Sequence, residues 1–282
     1  MQIAESQNCG SIPNFPPLGG LRGAIRVSIV QADIVHDIVD ENISYYGSLL
    51  ERLAGDTDLV ILPELFTTGM TLDVEGPADT NDGKTIAAVK KFAKEYGFAI
   101  TGSFLAFDNG KYYNRAFFIT PEGDEYYYDK RHLFRMADED RSFSAGTKRQ
   151  IINYKGWKIC LMVCYDLRFP VWSRNVNNEY DMLIYVANWP EARKVAWEAL
   201  LKARAIENMC YVCGVNRIGT DNRGFKYHGD SLIFSPKGDV LLQANENEEL
   251  VLTETLDMKS LQSFREKFPA WMDADKFEIE IN

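Results

Sequence analysis

The chain has 282 residues, of which 46% are hydrophobic and 26% are charged, as is ordinary for a soluble globular protein. Its net charge is −10, and an acidic surface argues against nucleic acid as a partner, although a local basic pocket could still bind a small anion. No apolar run approaches the roughly 20 residues that a membrane-spanning helix needs, so we expect no membrane association.

The first 22 residues lack both hydrophobic periodicity and the basic start and apolar core of a signal peptide. We interpret residues 1–22 as an N-terminal extension and assign it no role. The remainder shows neither an internal repeat nor a low-complexity linker, which favours one domain over residues 23–282. Because no export signal is visible, we expect a cytoplasmic protein with reduced thiols.

The cysteines and histidines do not indicate a metal site. Cys210 and Cys213 form a CxxC, but they lie in an apolar run that predicts a strand, where positions three apart face opposite sides. The three histidines, His36, His132 and His228, are not spaced as a metal pair. We therefore predict no metal and no cofactor. Spacing alone leaves open a site in which one of these histidines acts as the base beside a cysteine.

Apolar periodicity predicts the elements in chain order. Strands are expected over 25–32, 59–62, 98–107, 111–120, 125–130, 151–154, 158–164, 182–187, 211–216, 231–234, 239–243 and 250–255. Helices are expected over 38–53, 85–96, 190–208 and 261–268. The strands come in pairs between helices, whereas a parallel barrel has one helix for each strand. The pattern favours an α/β fold with a two-sheet core and helices on both outer faces.

The segment from Lys158 to Pro170 changes character at its centre. It begins as an apolar run typical of a strand buried on both faces, and Asp166 follows Cys164 almost at once. Cys164 is thus carried to the end of a buried strand, where ligands bind in open α/β sheets. Considered alone, Cys164 is explained equally well as a small buried hydrophobic residue.

Other strand ends bring groups with complementary chemistry. Glu64 follows the strand over 59–62, and Lys130 ends the strand over 125–130. A cysteine attacks as a thiolate, and a nearby carboxylate can take its proton. A lysine ammonium can stabilise a tetrahedral oxyanion, helped by the backbone N–H of the residue after the nucleophile, here Tyr165.

Three motifs in this order and spacing resemble those of the nitrilase superfamily of carbon–nitrogen hydrolases. They are Pro63–Phe66, Asp129–Phe134 and Cys164–Pro170, and the resemblance extends over about residues 22–268. It implies a four-layer α-β-β-α sandwich that forms a homodimer or a larger homo-oligomer. It also implies Cys164 as nucleophile, Glu64 as general base and Lys130 as oxyanion stabiliser. Members often carry a second, assisting glutamate, and Glu139 is the matching position; the alternative is a solvated carboxylate between Asp138 and Asp140.

The region from Asn188 to Asn208 is similar to the bacterial ω-amidases. This resemblance implies hydrolysis of 2-oxoglutaramate, 2-oxosuccinamate and related ω-monoamides to the acid and ammonia through a thioester. We expect Phe66, Trp189 and the Tyr165 N–H to contact the substrate, and Arg193 to bind its carboxylate, unless Arg193 is simply an exposed helix charge. The alternatives are another amidase of the superfamily, acting on deaminated glutathione, aliphatic amides or carbamoyl compounds, and a non-catalytic binding module.

Overall fold

A computed structural model describes residues 23–281, so the N-terminal extension lies outside the described residues. The strands are β1 (Ala24–Gln31), β2 (Leu59–Ile61), β3 (Ala99–Asp108), β4 (Lys111–Ile119), β5 (Glu125–Asp129), β6 (Ile151–Tyr154), β7 (Trp157–Val163), β8 (Met182–Ala187), β9 (Tyr211–Asn216), β10 (Ile218–Thr220), β11 (Lys226–His228), β12 (Leu232–Phe234), β13 (Val240–Gln243) and β14 (Leu250–Asp257). The helices are α1 (Val39–Glu51), α2 (Lys84–Tyr96), α3 (Glu139–Ser142), α4 (Lys194–Asn208) and α5 (Met258–Lys267).

Two six-stranded sheets form the core of the fold. Their strand orders are β14-β1-β2-β3-β4-β5 and β13-β12-β9-β8-β7-β6. In each sheet three parallel strands, β1-β2-β3 or β7-β8-β9, are flanked by antiparallel ones. Strand β5 runs in the same direction as β2, because two antiparallel pairings separate it from β3. The residues that follow β2 and β5 therefore emerge at one edge of the first sheet, as those that follow β7 and β8 do in the second.

Helices cover the outer face of each sheet. On the first sheet, Leu50 of α1 and Val89 of α2 belong to one buried cluster with Ile100 of β3. On the second sheet, α4 packs so closely over β9 that a Cβ on Gly214 would lie 2.4 Å from Leu201 Cδ1. A further buried cluster joins the two sheets. The predicted four-layer α-β-β-α sandwich is confirmed.

The predicted elements agree with the structure to within a few residues. The last helix begins at Met258 rather than Leu261, because the Asp257 side chain caps it by accepting a 2.9 Å hydrogen bond from the Lys259 N–H. The sequence analysis missed β10, β11 and α3. Each has only three or four residues, too few for periodicity to show, and glycine and polar residues surround the first two.

Two of the expectations from the sequence concern the cysteines and membrane-spanning helices. Cys160, Cys164, Cys210 and Cys213 are buried free thiols, and Cys9 lies in the extension that is not described. Cys210 directly precedes β9 rather than lying within it. Across residues 23–281, no helix combines the length and hydropathy needed to cross a membrane.

Candidate active site

Cys164 lies where β7 ends and a short 3₁₀ turn, Cys164–Arg168, begins. Its φ of 42° falls in the left-handed region that residues with a Cβ adopt at a cost. The buried Asp166 carboxylate stabilises this turn, because its Oδ2 accepts a 3.0 Å bond from the Val163 N–H and a 2.7 Å bond from the Tyr128 hydroxyl. The hydrogen bonds of Asp166 thus compensate for the strained backbone at Cys164.

Three charged side chains meet in the interior beside this turn. Lys130 Nζ donates to Glu64 Oε1 at 2.9 Å and to both carboxylate oxygens of Glu139 at 2.9 Å. Lys130 is 1% exposed, and both glutamates are fully buried. A single N–H of the ammonium can be shared between the two Glu139 oxygens. One N–H then remains for a ligand oxygen, as an oxyanion site requires.

Neutral hydrogen-bond donors also position the carboxylates of Glu64 and Glu139. Asn114 Nδ2 donates to Glu64 Oε1 at 2.7 Å and to Glu139 Oε1 at 3.4 Å, while its Oδ1 accepts from the Ser103 hydroxyl at 2.9 Å. The remaining oxygens are bound by backbone N–H groups: Glu64 Oε2 by Asn188 and Glu139 Oε2 by Phe134, each at 2.6 Å. Every carboxylate oxygen of the cluster therefore has a partner.

The chain segment around Lys130 is tied to the rest of the site on both sides. Gly146 approaches β5 so closely that a Cβ there would lie 2.0 Å from the Asp129 carbonyl oxygen. Just beyond Lys130, Asp166 Oδ1 accepts from the His132 N–H at 2.9 Å and contacts His132 Nδ1 at 2.8 Å. The carboxylate that stabilises the Cys164 turn therefore also positions the segment that carries Lys130.

Burial and neighbouring charges set the protonation states. Burial raises the pKa of the Cys164 thiol well above its usual range; the Glu64 charge and a hydrogen bond to Glu64 add to this, and Lys130 opposes it. Burial lowers the pKa of Lys130, but the Glu139 and Glu64 carboxylates outweigh burial and raise it, so the ammonium persists. Burial, and then Glu64, raise the pKa of Glu139 against the pull of Lys130. A protonated thiol must give its proton to a neighbouring base before the sulfur can attack.

A pocket opens above this cluster, with an empty volume of about 560 Å³, part of which is open to solvent. It is lined by Met70, Lys130, Phe134, Ala137, Cys164, Tyr165, Arg168, Asn188, Trp189, Pro190, Arg193, Asp221, Arg223, Phe225 and Tyr227. Three of these are arginines that form no ion pair with a carboxylate within residues 23–281. Instead, Arg193 lies over the Phe134 ring, Arg168 over Trp189 and Arg223 over Phe225. The pocket is small, mostly apolar and locally basic in an acidic protein, which suits a short anionic ligand.

The structure brings most of the predicted site residues together. Cys164, Lys130, Tyr165, Trp189 and Arg193 line the pocket, and Glu64 and Glu139 lie beneath it against Lys130. Tyr165 is the second residue of the 3₁₀ turn, so its N–H has no partner within that turn.

The expectation that Phe66 contacts the substrate is corrected by the structure. Phe66 does not line the pocket; it packs edge-on against Tyr46 and Phe117, with ring centroids at 5.4 and 5.9 Å. It therefore belongs to the core beneath α1. The left-handed backbone of Leu65, with φ of 48°, reverses the chain just before it.

None of the three histidines lines the pocket, which disfavours the alternative of a cysteine–histidine pair. His132 stacks on Phe169 with ring centroids 3.8 Å apart, and it serves the Asp166 network instead. The sequence analysis missed Asn114, Asp166 and the wall formed by Asp221 and Tyr227. Asn114 stands directly before Arg115 in a strand of mixed polarity, so no local pattern indicates it, and nothing in the sequence places 221–227 over Cys164.

Comparison with known proteins identifies the family. The family model for carbon–nitrogen hydrolases matches residues 26–266. The chain belongs to the carbon–nitrogen hydrolase family. It is an enzyme that hydrolyses amides, as the three motifs predicted, and its fold is that of the nitrilase superfamily.

Relatives of this hydrolase match over nearly their whole length. It is 41% identical over 255 residues to omega-amidase YafV of Escherichia coli K12, covering 90% of this chain and 98% of that one. It is 34% identical over 254 residues to 2-oxoglutaramate amidase of Bacillus subtilis, covering 89% and 97%. The crystal structure of XC1258 from Xanthomonas campestris, a CN-hydrolase superfamily protein with an arsenic adduct in its active site, superimposes with a TM-score of 0.89 at 42% identity, covering 91% of this chain and 99% of that one.

Proposed function

We propose that this hydrolase is an ω-amidase that converts ω-monoamides of short 2-oxo dicarboxylates, 2-oxoglutaramate and 2-oxosuccinamate, to the diacid and ammonia. The observation that carries this proposal is the small pocket that joins Cys164 to arginines with no carboxylate partner in the described part of the chain. A ligand with an amide at one end and a carboxylate at the other matches both features. The similarity to proteins named omega-amidase and 2-oxoglutaramate amidase supports the same substrate class.

In the proposed acylation step, Glu64 accepts the proton of the Cys164 thiol, and the thiolate sulfur bonds to the amide carbon. The carbonyl electrons move to oxygen, and Lys130 and the Tyr165 N–H stabilise the oxyanion. When the tetrahedral intermediate collapses, the C–N bond breaks and protonated Glu64 gives its proton to the departing nitrogen. Ammonia leaves and an acyl thioester on Cys164 remains.

In the deacylation step, Glu64 takes a proton from water as the water oxygen attacks the thioester carbon. The C–S bond then breaks, the acid is released, and protonated Glu64 returns its proton to the Cys164 thiolate. In both steps we assign Glu139 an assisting role. It holds Lys130 through two hydrogen bonds of 2.9 Å and keeps the ammonium charged.

We propose Arg193 as the group that binds the substrate carboxylate. It lines the pocket, and its guanidinium stacks on Phe134 with 5.1 Å between Cζ and the ring centroid. Its backbone carbonyl accepts a 2.9 Å hydrogen bond from Trp189 Nε1, so the two residues are positioned together. Arg193 is partly buried, so a substrate carboxylate would gain a charge-assisted contact with it that a neutral amide cannot make.

Ammonia release from 2-oxoglutaramate, 2-oxosuccinamate, deaminated glutathione and butyramide, measured side by side, tests the proposal. We expect kcat/KM for the first two to exceed that for butyramide by at least about 100-fold, and Arg193→Met to remove most of this difference. Arg174→Met is a matched control, because Arg174 lies outside the pocket and its Nη1 donates to the Glu207 carbonyl. Equal constants for 2-oxoglutaramate and butyramide would refute the substrate class. A clear preference for deaminated glutathione would establish the alternative amidase.

A further inference from the structure

The proposed mechanism assigns no function to the side chain of Asn188. It follows β8, it lines the pocket and it is 6% exposed. Neither Oδ1 nor Nδ2 of its side chain has a hydrogen-bond partner in the described part of the chain. A buried donor or acceptor without a partner carries the cost of its lost hydration, which a ligand that pairs with it would recover.

Asn216 provides a comparison, because its side-chain amide has a structural role. Asn216 ends β9, the strand beside β8. Its Oδ1 accepts from the Trp189 N–H at 2.8 Å, and its Nδ2 donates to the carbonyls of Trp189 and Gly229 at 2.9 and 2.8 Å. Asn216 therefore uses both side-chain atoms to hold the backbone at 189, whereas the side-chain amide of Asn188 has no partner among residues 23–281.

Hydrogen bonds hold the backbone at Asn188 and thereby limit where its side-chain amide can lie. Its N–H donates to Glu64 Oε2 at 2.6 Å, and Asn216 holds the next residue from both sides. Asn188 is thus anchored directly to the carboxylate that, in the proposed mechanism, protonates the departing nitrogen. A rigid backbone at this point presents the side chain with little entropic cost.

The polar groups around the pocket decide which part of the substrate needs Asn188. The charged lining side chains that can donate are Lys130, Arg168, Arg193 and Arg223. The lining carboxylate, Asp221, is already used, because it accepts from the N–H groups of residues 223 and 225 and from the Tyr227 hydroxyl. In an ω-monoamide anion, every polar group is a hydrogen-bond acceptor except the NH₂ group, which donates. That group has two N–H donors; one can face Glu64, and the other requires a further acceptor.

We infer that Asn188 is a specificity-determining residue that recognises the leaving amino group of the scissile amide, accepting a hydrogen bond from its NH₂ through Oδ1. This inference deepens the proposed function and rests on it. It implies selection for primary amides over esters of the same acid, because an alkoxy leaving group has no hydrogen to donate. The contact forms before the C–N bond breaks, so it acts on acylation and not on hydrolysis of the thioester.

Succinamate and monomethyl succinate test this, since both would deliver the same succinyl thioester and differ only in the leaving group. For Asn188→Leu, which is similar in size but apolar, we expect kcat/KM for the amide to fall about 10- to 100-fold while that for the ester stays within about threefold. Asn188→Asp keeps an acceptor oxygen and should retain more of the amide-to-ester ratio than Asn188→Leu. Its added charge acts equally on two substrates that are both monoanions.

Two further measurements separate recognition from a structural role. Asn216→Ala should lower both activities in parallel and reduce the Tm, because Asn216 holds backbone. In a Cys164→Ala background, calorimetry should show that Asn188→Leu raises the Kd of succinamate about tenfold and leaves that of the ester unchanged, which requires no turnover. Equal losses for amide and ester, or no loss for either, would overturn the assignment of Asn188. Failure of every variant, including wild type, to release ammonia from succinamate would count against the proposed function instead.

Discussion

Lys130 and Glu64 are 66 positions apart in the chain, yet Lys130 Nζ lies 2.9 Å from Glu64 Oε1 in the protein interior. Neither side chain is exposed by more than 1%. With Glu139 the pair forms a buried cluster of two carboxylates and one ammonium. Such a cluster is weak evidence for stability, because desolvation offsets the Coulombic gain. We therefore interpret the cluster as serving the reaction rather than the stability of the fold.

Replacing Lys130 by methionine removes the ammonium. This tests its proposed role as an oxyanion donor and its role as counter-charge to the two buried carboxylates. We expect turnover to fall at least about 100-fold, the usual effect of removing an oxyanion donor. We also expect destabilisation by about 3–5 kcal/mol at pH 7, because two buried carboxylates lose their counter-charge. Ammonia release and urea unfolding measure the two effects.

The stability of Lys130→Met should depend on pH with a definite sign. The pKa of Glu139 is already raised in the folded protein, and losing Lys130 raises it further. A carboxyl group whose pKa is raised on folding favours the folded state below its unfolded pKa and loses that contribution as pH rises. The deficit relative to wild type should therefore shrink between pH 7 and pH 5, and Glu139→Gln added to Lys130→Met should reduce it at pH 7. A deficit independent of pH would contradict a charged cluster.

Cys164→Ala should abolish ammonia release and leave the fold intact, with a stability loss on the order of 1 kcal/mol for one buried sulfur. Cys160→Ala and Cys213→Ala are matched controls, because both remove a buried free thiol from strands of the same sheet. Both controls should stay active. Substantial turnover by Cys164→Ala would rule out the nucleophile assignment.

The free enzyme should carry Cys164 as a thiol, not as a thiolate. Burial raises the pKa of this group well above its ordinary value, and that of Cys160 to about 12, so neither ionises near neutral pH. The thiolate absorbance at 240 nm should be the same in wild type and Cys164→Ala from pH 6 to pH 8.5. A thiolate signal at pH 7 that disappears in Cys164→Ala would show a preformed ion pair and would remove the need for Glu64 as base.

The protein should be a dimer or a larger homo-oligomer in solution. The segment after α5 exposes apolar side chains, among them Phe268 at 59% and Met272 at 67%, and Phe264 stacks on Phe268. Clustered exposed apolar residues are typical of an interaction surface. Light scattering at micromolar concentration checks the mass, and Phe268→Glu should shift it towards the monomer. A monomeric mass for wild type would contradict this expectation.

Strong local signals made the architecture and the centre of the site predictable. Buried strands such as β8 are continuous apolar runs, and the residues directly after a parallel strand must lie at one sheet edge. That logic places Glu64 and Lys130 at one edge of the first sheet, whereas Cys164 follows a strand of the second sheet, and its grouping with them rested on their complementary chemistry and on the resemblance to the superfamily. Glu139 needed the resemblance to the superfamily, because a carboxylate between Asp138 and Asp140 is typical of a solvated surface, whereas it is fully buried here.

Other features depend on tertiary contacts that leave no periodic trace. Asn114 lies in a hairpin strand, and only the pairing of β3 with β4 sets it between Glu64 and Glu139. Phe66 directly follows the Glu64 motif, yet the left-handed Leu65 sends it into the core. The free amide of Asn188 is visible only as the lack of a partner among the described residues, which no sequence pattern reports.

Partitioning of the acyl-enzyme tests the central claim, a thioester on Cys164, most directly. Succinamate is the suitable substrate, because it lacks a 2-oxo group that hydroxylamine would modify. With hydroxylamine present, wild type should form succinyl hydroxamate in proportion to the hydroxylamine concentration, at the expense of succinate, while ammonia release does not decrease. Cys164→Ala should form none. Ammonia release by wild type without any hydroxamate, or hydroxamate formed equally by Cys164→Ala, would contradict the account.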